Sequence, residues 1–137
     1  PLQGYRATPL AEVNEQGNAA TLCIAMLETP EGIANADAIA AVPGIDVLLI
    51  GSNDLCTALG IAGELKHPKL RAAYESTAKA CQAHGKHLGV GGIRADVAHV
   101  AELVKLGARF VIAASDVQYL MAAARNEVAA LRKATGG

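Results

Sequence analysis

The stretch TLCIAMLETPEGIANADAIAAVPGIDVLLIGSNDL, residues 21–55, decides the fold of this chain. It holds two largely apolar runs, residues 21–27 and 45–50, with Glu28 after the first and Asp54 after the second. Parallel neighbouring strands lie about 4.8 Å apart, so their carboxyl ends would bring both acids to one rim of a sheet. Two carboxylates that close repel each other unless they are protonated or neutralised, and a divalent cation is the simplest neutraliser. The stretch therefore predicts a metal site formed by Glu28 and Asp54.

Strand and helix signals alternate through the rest of the chain. Thr29, with proline and glutamate directly after it, is a helix start signal, and this helix is expected to continue to residue 41. Two further apolar runs, HLGVGGI from residue 87 and RFVIAAS from residue 109, predict strands. Longer helices are expected at residues 69–83, 96–107 and 117–133. The sequence thus predicts four strands, each followed by a helix.

Uniformly apolar strands are typical of a parallel sheet covered on both faces, as in a doubly wound open sheet or a TIM barrel. A dinucleotide-binding fold would show GxGxxG at the start of its first helix, whereas the first turn here is ETPEG. A whole barrel takes about 250 residues, so the 137 residues of this chain correspond to half of one. We expect an α/β fold of parallel (β/α) units, with residues 1–20 as a leading loop or short helix and residues 21–137 as one half-barrel domain.

Composition and charge argue against several classes of partner. The chain is 52% hydrophobic and 18% charged with a net charge of −1, so it offers no field to recruit nucleic acid or an anionic membrane surface. The three cysteines, Cys23, Cys56 and Cys81, are odd in number and lack CxxC spacing, which favours free thiols in a reducing compartment. No run approaches the roughly 20 apolar residues of a membrane helix, and we expect no signal peptide. We expect a cytoplasmic protein.

Several motifs follow one another in unbroken order: ETPEGIANADAIAAVPGIDVLLIGSNDLCTALG, an HP pair before a long helix, GKHLGVGG and GARFVIAASD. Together they resemble the HpcH/HpaI aldolase family, a branch of the phosphoenolpyruvate/pyruvate-binding TIM barrels. The resemblance implies that this chain matches strands five to eight, the second half of the barrel. It also implies that Glu28 and Asp54 hold Mg²⁺ or Mn²⁺. The implied activity is metal-dependent aldol cleavage or formation of a carbon–carbon bond between a 2-oxo acid such as pyruvate and an aldehyde.

The turn after the second strand is the candidate substrate site. Backbone N–H groups around Gly51, Ser52 and Asn53 form a concavity suited to the carboxylate of a 2-oxo acid, and the resemblance assigns the turn the same role. The alternatives are an ordinary tight turn for these residues, a solvated acid at the rim for Glu28 and a helix N-cap for Asp54. Two residues depart from the family pattern. Met26 stands where many members have a glutamine that faces the substrate, and Ser52 stands where the family usually has proline.

Few other residues are assigned chemistry. The family's catalytic arginine and its His–Asp base pair lie in the first half of the barrel, so the resemblance gives that role to no residue of this chain. Arg94 is either a solvated loop cation or a contact for an acidic substrate. Asp116 could line the mouth of the barrel, but it is expected to cap the last helix. Cys56 has no His or Asn placed to activate it and is interpreted as a buried filler. The histidines are interpreted as structural or solvated, and no lysine falls on a predicted strand, which argues against a Schiff-base aldolase.

A second hypothesis is a partial or noncatalytic half barrel that retains a metal and 2-oxo acid pocket and acts in assembly. Its motivation is the missing half of the barrel together with Met26. The last helix carries an apolar stripe at Leu120, Ala124, Val128 and Leu131. The resemblance implies that such aldolases form homo-oligomers and exchange this helix between subunits, although such a stripe more often packs on its own sheet.

Overall fold

The computed structural model of the chain describes residues 4, 6–93 and 96–136. In chain order the elements are α1 (Leu10–Ala20), β1 (Ile24–Leu27), α2 (Pro30–Ala34), α3 (Ala36–Ala40), β2 (Val47–Gly51), α4 (Ser52–Ala58), α5 (Pro68–Ala83), β3 (His87–Gly91), α6 (Val97–Leu106), β4 (Ala108–Val111) and α7 (Asp116–Thr135). Helices thus follow every strand, as the alternating sequence pattern predicts. Within the described ranges, no helix has both the length and the apolar character to cross a membrane.

The strands form one parallel sheet in the order β1-β2-β3-β4. Ile24 of β1 pairs with Val47 of β2, and Val47 in turn pairs with His87 of β3. Leu88 pairs with Ala108 of β4. A doubly wound sheet reverses its strand order at a switch point, whereas a barrel places each new strand beside the last. The sheet is therefore a barrel segment, which confirms the predicted α/β fold of parallel (β/α) units.

The hydrophobic core lies between one face of this sheet and the helices packed on it. Alternate strand residues face those helices because successive side chains of a strand point to opposite faces. The strand side chains of the core are Leu27, Leu48, Ile50, Leu88 and Val90, and the large helical side chains that meet them are Leu55, Leu70, Tyr74 and Leu103. Full burial of each such side chain is worth about 1.5–3 kcal/mol, so this layer stabilises the sheet that carries the site.

The other face of the sheet, which would be the interior of a closed barrel, is only partly covered by the described residues. Val47 and Leu49 are each 2% exposed on that face, whereas Met26 beside them is 55% exposed. A Cβ built at Gly89 would lie 2.9 Å from side-chain atoms of both Val47 and Leu49. The glycine in β3 therefore makes room for the two larger side chains that lean over it.

Several segments differ from the sequence-based expectation: β2 begins at Val47 rather than residue 45, and β4 ends at Val111 rather than residue 115. The first strand begins at Ile24 rather than residue 21, because the backbone of Cys23 is bound to Asp46 before the ladder starts, by N–H to Oδ2 at 2.8 Å and by C=O to N–H at 2.9 Å. The helix expected over residues 30–41 is split into α2 and α3 at Asn35, whose φ of −95° and ψ of 8° leave the helical region. Thr29 caps α2, as its sequence signal predicts.

The last helix, α7, projects from this core and buries none of its residues. Its N-cap is Ser115, whose Oγ accepts from the backbone N–H of Gln118 while the Gln118 side chain accepts from the N–H of Ser115. The prediction that Asp116 caps this helix is therefore wrong, since Asp116 is its first helical residue. Serine followed three residues later by glutamine forms the reciprocal capping box, which satisfies two backbone donors at once.

Candidate metal and substrate site

Glu28 lies directly beyond β1, at the carboxyl end of the sheet. The register that pairs Leu27 with Ile50 places Glu28 opposite Gly51 of the neighbouring strand. A Cβ built at Gly51 would lie 2.6 Å from Oε1 and 2.8 Å from Cγ of Glu28. The Glu28 side chain therefore folds across the Cα of Gly51, and only a glycine leaves it that position.

Asp54 is the third residue of α4, the short helix that begins at the end of β2. The N-cap of that helix is Gly51, so the alternative interpretation of Asp54 as an N-cap is wrong. Burial raises the pKa of the partly exposed Glu28 carboxyl, and a hydrogen bond to Asp54 and the negative charge of Asp54 raise that pKa further. The two carboxyl groups are therefore neighbours, as their places at two adjacent strand ends predict.

The turn that joins β2 to α4 places its three residues in different surroundings. Gly51 is half-buried, Ser52 is completely buried and Asn53 is exposed. The Asn53 side chain donates from Nδ2 to the carbonyl oxygen of Gly92 at 3.2 Å. The N–H groups at the start of a helix have no partner inside it, so the backbone amides of Ser52 and Asn53 stand at the same rim as Glu28. The buried Ser52 hydroxyl, in contrast, points away from that rim into the core.

Met26 shares a sheet face with the candidate metal ligands. It lies two residues before Glu28, and side chains at that spacing point to the same side of a strand. Met26 is 55% exposed on this face, and its Cα partner in β2 is Leu49. The floor of the site is therefore apolar where Met26 stands, and it offers a thioether in place of a hydrogen-bond donor.

The donor set fits a hard cation that keeps most of its water. Glu28 and Asp54 supply carboxylate oxygens, and no cluster of three or more His, Cys, Asp or Glu suited to a metal occurs in residues 6–93 and 96–136. Mg²⁺ is commonly bound by one or two carboxylates plus waters and substrate oxygens, whereas a structural Zn²⁺ site takes four protein ligands. Two adjacent carboxylates, Glu28 and Asp54, therefore suit Mg²⁺ or Mn²⁺.

The histidines have structural surroundings. His67 is the N-cap of α5, and His84 Nε2 lies 2.9 Å from a carboxylate oxygen of Asp37. His99 is 6% exposed on α6, and His87 begins β3 at the end of the sheet away from Glu28 and Asp54. The interpretation of these side chains as structural or solvated agrees with these positions.

The lysines and Cys56 also lie in surroundings that argue against a catalytic role. Each lysine lies outside the strands, as predicted, on a loop or a helix: Lys66, Lys69, Lys79, Lys86, Lys105 and Lys133. Cys56 is fully buried, and burial raises the pKa of its thiol, which disfavours the nucleophilic thiolate. The prediction for Arg94 lies outside the described residues.

A cavity of about 590 Å³ lies at the opposite end of the sheet. Lys79, Lys86 and Arg109 are among its lining residues, next to the ends of α5 and α6. Arg109 donates to the carbonyl oxygen of Val104 in the last turn of α6 at 3.3 Å. Arg109 thereby offsets the partial negative charge at the C-terminus of α6, and the cavity is remote from the paired acids.

Comparisons with known proteins agree on one family. The sequence profile of the HpcH/HpaI aldolase/citrate lyase family matches residues 3–123. The 4-hydroxy-4-methyl-2-oxoglutarate aldolase tasA of Hapsidospora irregularis is 45% identical over 94 residues, which are 68% of this chain and 35% of that protein. The 4-hydroxy-4-methyl-2-oxoglutarate aldolase cghB of Chaetomium globosum is 36% identical over 135 residues, which are 97% of this chain and 50% of that protein.

Solved structures give the same result for the fold. The crystal structure of an HpcH/HpaI aldolase from Desulfitobacterium hafniense superposes with a TM-score of 0.79 at 28% identity, over 95% of this chain and 50% of that one. The chain therefore spans half or less of the length of these relatives and structural neighbours.

Proposed function

The chain belongs to the HpcH/HpaI aldolase/citrate lyase family, and we propose that it carries the metal-binding half of a class II aldolase. The reaction is cleavage or formation of a carbon–carbon bond between a pyruvate-like 2-oxo acid and an aldehyde. One observation carries the proposal: Glu28 and Asp54, from two neighbouring strand ends, meet closely enough to raise the pKa of Glu28. Two acids brought together at the open end of a barrel sheet are a recurrent way to hold a catalytic cation.

Glu28 and Asp54 are the residues that would hold Mg²⁺ or Mn²⁺. Such an ion supplies Lewis acidity, which stabilises negative charge as it develops on the keto oxygen of a 2-oxo acid. The close approach of Glu28 to Gly51 fixes the direction from which its carboxylate reaches the rim. A Gly51→Ala variant would push that carboxylate aside without disturbing the core, and we expect it to weaken Mn²⁺ binding.

The turn beside the acids would hold the carboxylate of the 2-oxo acid. The backbone amides around Gly51, Ser52 and Asn53 supply uncharged donors at this place, next to the two acids that would carry the ion. Met26 would contact the substrate through an apolar surface, which favours a methyl or methylene group over a hydroxyl at that position. The two fungal relatives named above act on 4-hydroxy-4-methyl-2-oxoglutarate by their names, and this 2-oxo acid carries a methyl group.

Complete turnover needs a general base within hydrogen-bond reach of the proton that moves. By resemblance that base, with a catalytic arginine, belongs to the first half of the barrel. Since the chain covers half or less of its relatives, the whole activity also depends on sequence that corresponds to their other half. The described half would bind the ion and the 2-oxo acid, and the other half would move the proton.

The direct test incubates the chain, together with sequence that corresponds to the other half of its relatives, with Mn²⁺, pyruvate and an aldehyde, and follows the aldol product. We expect turnover that is abolished by EDTA and by Asp54→Ala, with the circular dichroism spectrum of the variant unchanged. The second candidate, a noncatalytic half barrel active in assembly, is favoured by Met26, which offers no hydrogen-bond donor to a keto oxygen. Mn²⁺ binding without turnover would support this second candidate, and turnover that survives EDTA would contradict the metal mechanism.

The partner that we propose for α7 is a second copy of this chain. Apolar side chains line one side of the helix and are largely exposed: Val117, Leu120, Met121, Val128 and Leu131. Exchange of α7 between copies would cover them and produce a homo-oligomer. The mass in solution, compared with 14.0 kDa for one chain, tests this directly. We expect Leu120→Asp combined with Leu131→Asp to reduce the mass to that of a monomer, and Asn126→Asp on the polar side to leave it unchanged.

The cysteines support a reducing compartment. Cys23 is exposed, Cys56 and Cys81 are buried, and all three are free. An exposed free thiol persists most readily where glutathione keeps it reduced, so we propose the cytoplasm as the location.

A further inference from the structure

A chain of buried hydroxyl groups lies directly beneath the rim. The Oγ of Ser52 lies 2.6 Å from the hydroxyl of Tyr74 and 2.6 Å from the carbonyl oxygen of Gly91. Ser52 is 0% exposed and Tyr74 is 1% exposed. The three residues belong to α4, α5 and β3, so this chain of hydrogen bonds connects three elements of the fold.

The direction of each hydrogen bond follows from the number of hydrogens. The carbonyl of Gly91 can only accept, so the single hydroxyl hydrogen of Ser52 is donated to it. The Oγ of Ser52 then has only acceptor capacity left, and Tyr74 must donate its hydroxyl hydrogen to Ser52. Burial raises the pKa of Tyr74 to about 12, so the donor keeps its proton at neutral pH. Removal of the Tyr74 hydroxyl therefore removes one donor and leaves the Ser52–Gly91 bond in place.

These bonds fix the first turn of α4 from below. Ser52 is the first residue of that helix, and Asp54 is in the same turn. A second bond, from the exposed side chain of Asn53 to the carbonyl oxygen of Gly92, ties the same turn to the end of β3 from the outside. The backbone that carries Asp54 is thus held on both sides by neighbouring residues of one strand end.

We propose that Tyr74 and Ser52 are positioning residues, which hold the backbone of Asp54 at the distance from Glu28 that a shared divalent ion requires. The inference rests on the proposed function, because a fixed position of Asp54 matters only if its carboxylate binds the ion. A phenylalanine at position 74 would fill nearly the same volume, so packing alone does not need the hydroxyl.

The experiment compares Tyr74→Phe and Ser52→Ala with Thr77→Val, a matched control one turn further along α5. Thr77 is also fully buried, and its Oγ1 has no hydrogen-bond partner among the described residues, so its removal leaves no donor or acceptor unsatisfied. Two readouts are taken on each folded protein. The first is Mn²⁺ affinity by electron paramagnetic resonance, and the second is amide hydrogen exchange at residues 53–55 relative to residues 48–50 of β2.

We expect Tyr74→Phe to weaken Mn²⁺ binding by about three- to tenfold, the loss that corresponds to one hydrogen bond, and Ser52→Ala to weaken it at least as much. Exchange should accelerate at residues 53–55 and stay unchanged in β2, with Thr77→Val like the wild type in both readouts. Wild-type affinity and exchange in Tyr74→Phe would overturn the inference, as would an equal loss in Thr77→Val. If the wild type itself binds no Mn²⁺, the proposed function fails, and the exchange at residues 53–55 alone decides whether the hydroxyl chain fixes the turn.

Discussion

Helices α5 and α7 make an instructive pair, because both are long, both are rich in alanine and both carry an apolar stripe. The 16-residue α5 buries its stripe against the sheet, with Leu70, Tyr74 and Cys81 at most 2% exposed. The 20-residue α7 buries no residue, and Leu120 and Leu131 on its stripe are 69% and 63% exposed. An apolar stripe thus predicts that a helix has a face to bury, but it does not say which surface covers that face.

The difference also divides the two roles that we propose. α5 lies behind the site, and its Tyr74 hydroxyl is hydrogen-bonded to Ser52 in the turn that carries Asp54. The role that we propose for α5 is therefore to support the site within one chain. α7 follows β4 and exposes its apolar side chains to solvent. The role that we propose for α7 is therefore contact with a second copy of the chain. The experiments below separate the two helices, and they are arranged from the largest expected effect to the smallest.

The largest contrast is expected between Leu70→Ala and Leu120→Ala. Leu70 is 0% exposed in the core, so its truncation should lower the free energy of unfolding by about 2–5 kcal/mol. Leu120→Ala should change the unfolding of the monomer by less than about 0.5 kcal/mol, because the side chain is exposed there. Thermal unfolding over a range of protein concentrations measures both. The unfolding temperature of the Leu120 variant should be lower than that of the wild type only at concentrations at which copies assemble. An equal decrease in unfolding temperature at every concentration would place α7 within the core of one chain.

The next contrast is in alkaline solution. The pKa of Tyr74 is raised to about 12 in the folded chain, from an ordinary value of 10.0, by burial. Between those pH values the unfolded chain loses the proton and the folded chain keeps it, so the folded state binds more protons and stability falls as pH rises. The stability lost over that window is on the order of 2 kcal/mol.

A matched pair of variants isolates this effect. Tyr74→Phe should remove that part of the alkaline loss, while Tyr119→Phe on α7 should retain it because Tyr119 is 61% exposed. Urea unfolding at pH 8, 10 and 11.5 compares the two variants with the wild type. An alkaline loss in Tyr74→Phe as large as that of the wild type would contradict the assignment to Tyr74.

The smallest effect is expected on the solvated side of α5. Arg71 and Glu75 form an ion pair of 2.7 Å between side chains that are 45% and 46% exposed. Exposed pairs at this helical spacing contribute about 0.3–0.5 kcal/mol, and salt screens them. Glu75→Gln should therefore lower the midpoint of urea unfolding only slightly, and 0.5 M NaCl should remove the difference. A loss above about 1 kcal/mol would contradict this weak role.

Much of the fold follows from local patterns in the sequence. Four uniformly apolar runs predict four buried parallel strands, and Thr29 with Pro30 predicts the start of α2. The break at Asn35 could not be predicted in this way. Residues 33–37 contain no proline or glycine, and the helical spacing of apolar residues continues across them. The cap of α7 was missed for a different reason, since Ser115 and Asp116 are both good caps and only the partner Gln118 decides between them.

In the site, too, local sequence patterns predict some features and not others. The convergence of Glu28 and Asp54 was predictable because parallel strands deliver their ends to one rim. The role of the Ser52 side chain was not, since its partner Tyr74 is 22 residues away and its other partner, Gly91, is 39 residues away. Sequence reasoning assigned Ser52 only a backbone role. A serine in place of an expected proline, before a buried tyrosine on the next helix, was the available signal.

The most direct test of the account is a titration of the chain with Mn²⁺, followed by electron paramagnetic resonance or calorimetry. We expect one ion per chain, and we expect Glu28→Gln and Asp54→Asn each to weaken its binding by more than about tenfold. Mutation of residues that only hydrogen-bond to metal ligands already lowers metal affinity by about 10- to 100-fold, and the ligands themselves should matter at least as much. Asp116→Asn, which alters an acid beyond β4 rather than the pair, should bind like the wild type. Wild-type affinity in both the Glu28 and Asp54 variants, or an equal loss in Asp116→Asn, would contradict a metal site formed by these two carboxylates.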